Sequence, residues 1–139
     1  MSRANVELVR RIYDAVARRD DVTPFELYAE DIVWDLSNMR RAALYARPVY
    51  VGHDGVREMW RESVAAFGNV DFDVEDLMDA GQCVLAVIHE RAVGRASGAA
   101  VEAAHFAVWT FARGKVVRLQ IFDDREQAVE AAGIPSRSR

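Results

Sequence analysis

The stretch His105–Asp124, HFAVWTFARGKVVRLQIFDD, decides the fold of this chain. Apolar and aromatic residues alternate on either side of Arg113-Gly114, which reads as two β-strands joined by a tight turn. A period of two puts His105, Ala107, Trp109 and Phe111 on one face, followed across the turn by Val117, Leu119, Ile121 and Asp123. That face is apolar with an imidazole at one end and a carboxylate at the other, the composition of an inner pocket wall. The opposite face carries Phe106, Val108 and Thr110, then Arg118, Gln120 and Phe122, and is too apolar for an ordinary wet surface.

Upstream, Val6, Val9, Tyr13 and Val16 recur at helical spacing, so residues 5–18 form an amphipathic helix. Thr23-Pro24-Phe25-Glu26 reads as the start of a short second helix, with Thr23 as N-cap and Glu26 completing a capping box. Residues 32–36, IVWDL, form a strand, and residues 48–51 a short return strand. Between them, residues 37–47 read equally as a loop or a single helical turn. Gly52-His53-Asp54-Gly55 turns the chain, with Asp54 available to cap a third helix over residues 56–67 that Gly68 ends. Residues 70–75 alternate strictly, residues 83–93 form a long strand, and residues 94–98 loop back into the quoted hairpin. A last helix opens near Asp124 and closes at Gly133. Residues 135–139 are read as a frayed tail. This order predicts a single α+β domain over residues 1–139. Its sheet is curved, mostly antiparallel and of about five to six strands; three helices come from the N-terminal half and a short one from the C-terminus.

The chain has 139 residues with a formal net charge of −4, and no basic stripe of the kind that nucleic acid or an anionic membrane requires. No apolar run approaches the ~18 residues of a membrane span. The single cysteine, Cys83, excludes an internal disulfide and suits a reducing compartment. MSRANVELVRRIY lacks the apolar core of a signal peptide, so the expected location is cytoplasmic.

WD after a short second helix, GHDGV opening the third, and FARGKVVRLQIFDDREQAVEAAGI at the end resemble the SnoaL-like and ketosteroid isomerase-like families of the nuclear transport factor 2-like superfamily. The likeness runs from Asn5 to about Ile134. It implies a cone-shaped fold whose helices close the concave sheet face into an apolar pocket, and an outer sheet face, here Phe106, Val108 and Phe122, that makes a homodimer. Pairing the strands on that basis puts Leu85, Val87, His89 and Arg91 beside His105 on the inner face. The ketosteroid isomerase pattern of an N-terminal tyrosine, a strand aspartate and a second acid falls on Ile12, Leu36 and Ala107, so that mechanism is not expected. The SnoaL-like cyclases are similar in using an aspartate near the end of the last strand, which points to Asp123.

Asp123 is therefore the candidate acid/base, with His105 and His89 as catalytic partners that polarise or orient a substrate. Asp123 could instead cap the last helix, a role Asp124 can also fill, and either histidine could be a core residue bonded to a backbone carbonyl. Trp34, Trp60, Trp109, Leu119 and Ile121 would shape an apolar site, and Arg91 would hold a carboxylate or enolate oxygen. No metal-ligand spacing and no phosphate loop occur, so neither metal nor cofactor is expected. Two functions follow from different classes. One is acid–base catalysis of the isomerase or cyclase type on a small, apolar, carbonyl-containing molecule; the other is ligand binding or dimerisation without turnover.

Overall fold

The computed structural model describes residues 2–93 and 97–134. The elements are α1 (Ser2–Ala17), α2 (Thr23–Leu27), β1 (Tyr28–Asp35), a 3-10 turn (Arg40–Leu44), β2 (Val49–Val51), α3 (Gly52–Phe67), β3 (Asp71–Ala80), β4 (Cys83–Val93), β5 (Ala100–Ala112), β6 (Lys115–Phe122) and α4 (Arg125–Ala131). The expected α+β architecture is present. The six strands form one mixed sheet in the order β2-β1-β6-β5-β4-β3, antiparallel except where β1 runs parallel to β6. The tail expected at 135–139 and most of the loop at 94–98 lie outside the described residues.

The β5–β6 hairpin turns on Arg113 (φ 53°) and Gly114 (φ 77°). Positive φ at both central residues is the backbone that matches the twist of the flanking strands, and glycine adopts it without a Cβ clash. A register shift beyond Thr110 then pairs Phe111 with Val116 and leaves Val117 unpaired, so Val116, not Val117, is the buried residue. A bulge of this kind inverts the alternation locally.

Helix starts differ from the sequence reading in three places, the first being α1, which begins at Ser2 rather than Asn5. The carboxylate of Asp20, not Thr23, accepts the backbone N–H groups of Val22 (2.9 Å) and Thr23 (3.1 Å) at the start of α2. These bonds, led by the one from the Thr23 hydroxyl, hold the Asp20 carboxyl down at about 2. α3 begins at Gly52, placing Asp54 inside its first turn rather than at the cap.

The main core lies between α1, α3 and the concave sheet face, where Val9, Ile12, Ile32, Tyr50, Val56, Val84 and Ile88 are buried. The convex face has its own cover. Leu85, Val108 and Phe122 pack under Ala128 and Ala132 from α4 and the residue after it. The open apolar patch of Phe106, Val108 and Phe122 that motivated a homodimer is thus largely closed by the same chain; only Phe106 remains half-buried at its edge. No helix of the described residues is long and apolar enough to cross a membrane.

Because Leu85 is fully buried in this second core, Leu85→Ala should cost about 2–5 kcal/mol. Urea denaturation followed by circular dichroism will measure it.

Candidate functional site

The strand register decides which β4 residues face inward. Ile88 pairs with His105, Ala86 with Ala107 and Val84 with Trp109. The inner residues of β4 are therefore Val84, Ala86, Ile88 and Glu90, and the expected set Leu85, Val87, His89 and Arg91 lies on the opposite face. Outside, Arg91 makes a two-point contact with Asp73, Nε to Oδ2 at 3.2 Å and Nη2 to Oδ1 at 3.1 Å. His89 stands between Glu102 at 3.2 Å and Asp73 at 3.9 Å. The two histidines do not meet, and Arg91 does not reach the interior. Both faces of β4 are apolar near its middle, so composition carries no parity, and a shift of one residue exchanges every side chain.

A cavity of about 70 Å³ remains between the helices and the sheet, lined by twenty residues that include Ile12, Tyr13, Arg41, Glu90 and His105. Trp34, Trp60 and Trp109 converge there, with ring centroids 5.9 Å apart for Trp34–Trp60 and 6.4 Å for Trp34–Trp109. Leu119 and Ile121 also line it. On the far side of Tyr28, Trp60 and Ser63, which border both spaces, lies an open groove of about 790 Å³ between the end of α1, α2 and α3.

The inner polar groups form one cluster. His105 is 4% exposed and Glu90 7%. The imidazole Nδ1 hydrogen-bonds the Glu90 carboxylate at Oε2, and Arg41 donates to the same oxygen at 2.7 Å. Burial pushes the Glu90 carboxyl up. The hydrogen bond and charge of His105, together with Arg41, outweigh that and hold it below the usual range. Opposite, Trp109 Nε1 donates to the Tyr13 hydroxyl at 3.2 Å. Burial raises Tyr13 well above the ordinary phenol range against the lowering effect of that bond, so the hydroxyl stays protonated. Tyr13 supplies the phenol that Ile12, its neighbour on the helix and in the lining, cannot.

Arg41 comes from the stretch at 37–47 that the sequence left unread. Its 3-10 turn is anchored from two sides. The Glu62 carboxylate accepts Ala46 N at 2.9 Å and the Tyr50 hydroxyl at 2.7 Å. The Asp123 carboxylate accepts Arg40 N at 2.5 Å, with the Arg40 guanidinium at 3.8 Å. Asp123 thus points to this turn and is not among the residues lining the cavity. Asp124 caps α4, accepting Glu126 N at 3.4 Å.

Residues missed from the sequence are Glu90, Arg41 and Tyr13. A lone acid and a lone histidine in neighbouring apolar strands were the available signal for Glu90 with His105. Nothing local marks Arg41, whose place depends on a turn held by side chains 16 and 83 positions away.

Residues 9–119 match the SnoaL-like domain family, and the chain belongs to it. No curated protein matches. Among solved structures, an NTF2-like protein from Burkholderia thailandensis is 26% identical with a TM-score of 0.75, covering 94% of this chain and 97% of that one. TerC, crystallised with polyporic acid, is 17% identical with a TM-score of 0.77, over 94% and 98% of the two chains. A protein from Jannaschia assigned as a SnoaL-like polyketide cyclase is 17% identical with a TM-score of 0.73, over 97% and 95%. The last two likenesses are of fold alone.

Two outcomes follow from this geometry. Asp123→Ala should cost about 1–3 kcal/mol in chemical denaturation. Asp123→Asn, whose amide oxygen can still accept from Arg40 N, should cost less and leave any turnover largely intact. Glu90 has a folded pKa below its ordinary value of 4.5, so its ionised form stabilises the fold above that pH, and this is lost as pH falls through the folded value. Acid titration by circular dichroism should therefore show less stability lost below about pH 4.5 in Glu90→Gln than in the wild type.

Proposed function

We propose that the protein performs proton transfer on a small, apolar, carbonyl-bearing molecule, with His105 as the base. The observation that carries this reading is the buried Glu90 carboxylate bonded to His105 Nδ1 on the cavity wall. A carboxylate on Nδ1 fixes the tautomer with the proton there, leaving the Nε2 lone pair free to accept another, and it stabilises the imidazolium that results. In the proposed step Nε2 takes a proton from the carbon next to the carbonyl. The C–H electron pair becomes the new C=C bond, and the carbonyl π pair moves to oxygen as an enolate. The Tyr13 O–H, its oxygen already accepting from Trp109 Nε1, donates to that oxygen. Returning the proton from His105 to a different carbon gives isomerisation, and attack of the enolate carbon on a second carbonyl gives cyclisation, the resulting alkoxide taking the proton back from His105. Asp123, bonded to the turn at Arg40, has no part in this scheme beyond holding the turn that carries Arg41.

The cavity of about 70 Å³ suits the compact reacting end of a larger molecule. The family-level support is the SnoaL-like membership and a neighbour of the same fold assigned as a polyketide cyclase.

The test is hydrogen–deuterium exchange at the methyl group of acetophenone in D2O, followed by proton NMR. The wild type should accelerate exchange over buffer, and His105→Gln should lose that acceleration by ~10²–10⁴-fold. Exchange at the buffer rate, or full activity in His105→Gln, would sink the reading. Binding without exchange would favour a ligand-binding domain of the same fold.

A further inference from the structure

Trp34 is the penultimate residue of β1, is 3% exposed, and lines the inner cavity. Its indole Nε1 is the one buried side-chain nitrogen or oxygen among the described residues without a hydrogen-bond partner. The neighbouring tryptophan shows the ordinary situation, since Trp109 Nε1 reaches the Tyr13 hydroxyl at 3.2 Å. A buried donor left unmet loses its hydration with nothing in return, and buried polar groups without a partner are few in folded proteins. Nor is the side chain a simple space-filler. Its ring meets those of Tyr28, Trp60 and Trp109 edge-on, at centroid distances of 5.8, 5.9 and 6.4 Å. That packing fixes the ring plane and so fixes the direction of the N–H.

We infer that Trp34 Nε1–H is a ligand-recognition donor, and that the natural ligand brings an uncharged oxygen acceptor, a ketone or ester carbonyl, to it. This rests on reading the cavity as the substrate site and adds the chemistry of the group that enters it. An acceptor-free hydrocarbon would fill the same volume and leave the donor unmet, so Trp34 discriminates carbonyl compounds from isosteric alkenes. A carboxylate is disfavoured, because the one guanidinium in the lining, Arg41, is already held by Glu90 and the surrounding rings do not solvate a further charge. Trp34 is a positioning and specificity residue in this scheme. Proton transfer belongs to His105.

The test uses the shape-matched pair acetophenone and α-methylstyrene, which differ in C=O against C=CH2. With ¹⁵N-labelled tryptophan, the three indole N–H resonances are assigned from single Trp→Phe variants. Acetophenone should move the Trp34 indole proton downfield and bind roughly three- to ten-fold more tightly than α-methylstyrene, the discrimination expected of one neutral hydrogen bond. In Trp34→Phe the two compounds should bind alike. If that variant does not fold, the comparison of the two compounds in the wild type decides alone.

Equal affinities in the wild type, or discrimination that persists in folded Trp34→Phe, would overturn the inference. An indole proton already shifted upfield by a ring face and unmoved by acetophenone would do the same. If neither compound binds, the inference fails together with the reading of the cavity as the substrate site. Discrimination at Trp34 without proton exchange would leave it standing while the catalytic role of His105 falls.

Discussion

The buried carboxylate of Glu90 is the constraint around which the interior is arranged. A charge so poorly exposed is tolerated only when paired and hydrogen-bonded, and one oxygen here is shared by His105 Nδ1 and Arg41. Each partner comes from a different part of the chain. Glu90 sits on β4, His105 on the adjacent β5, and Arg41 on the 3-10 turn between β1 and β2. Removing either partner leaves a charge the apolar walls cannot solvate. The cluster therefore ties the turn to the sheet at the same point where it orients the imidazole.

That double duty accounts for the positions of several polar residues on the periphery. Glu62 on α3 holds Ala46 N and the Tyr50 hydroxyl, while Asp123 at the end of β6 holds Arg40 N. The segment at 37–47 has little apolar burial in its 3-10 turn, where no residue is buried, so polar contacts from two elements secure it. Local stability of such a segment is low by construction.

The inner cavity and the outer groove differ about tenfold in volume, at about 70 and 790 Å³, and share Val16, Tyr28, Trp60, Ser63 and Val70 as a common wall. The aromatic side chains that make this wall are held by edge-on contacts in a chain from Phe25 through Tyr28 to Trp34 and Trp60. The apolar surround also raises the Tyr13 hydroxyl, keeping a donor in the lining at neutral pH.

Much of this was legible in the sequence. Period-two alternation and the Arg113-Gly114 turn specify the β5–β6 hairpin, helical spacing specifies α1 and α3, and together they place Trp34, Trp60, Trp109, Leu119 and Ile121 around one interior. His105 faces inward because Ala107, Trp109 and Phe111 on its own strand must. These are local facts, set by backbone periodicity and burial. The partner of His105 is not local. Whether His89 or Glu90 stands beside it depends on the β4–β5 register, and β4 is apolar on both faces, so nothing in its own composition selects one. The bulge near Val117 and the anchoring of Arg40 to Asp123 likewise arise only when distant strands and turns meet. The sequence alone determined the fold class, the hairpin, the aromatic wall and the inward histidine, because each follows from periodicity within one element. Only the tertiary structure decided which acid the histidine holds, and that Asp123 supports a turn rather than facing the cavity, because those pairings are set by strand register and by backbone donors far away in the chain.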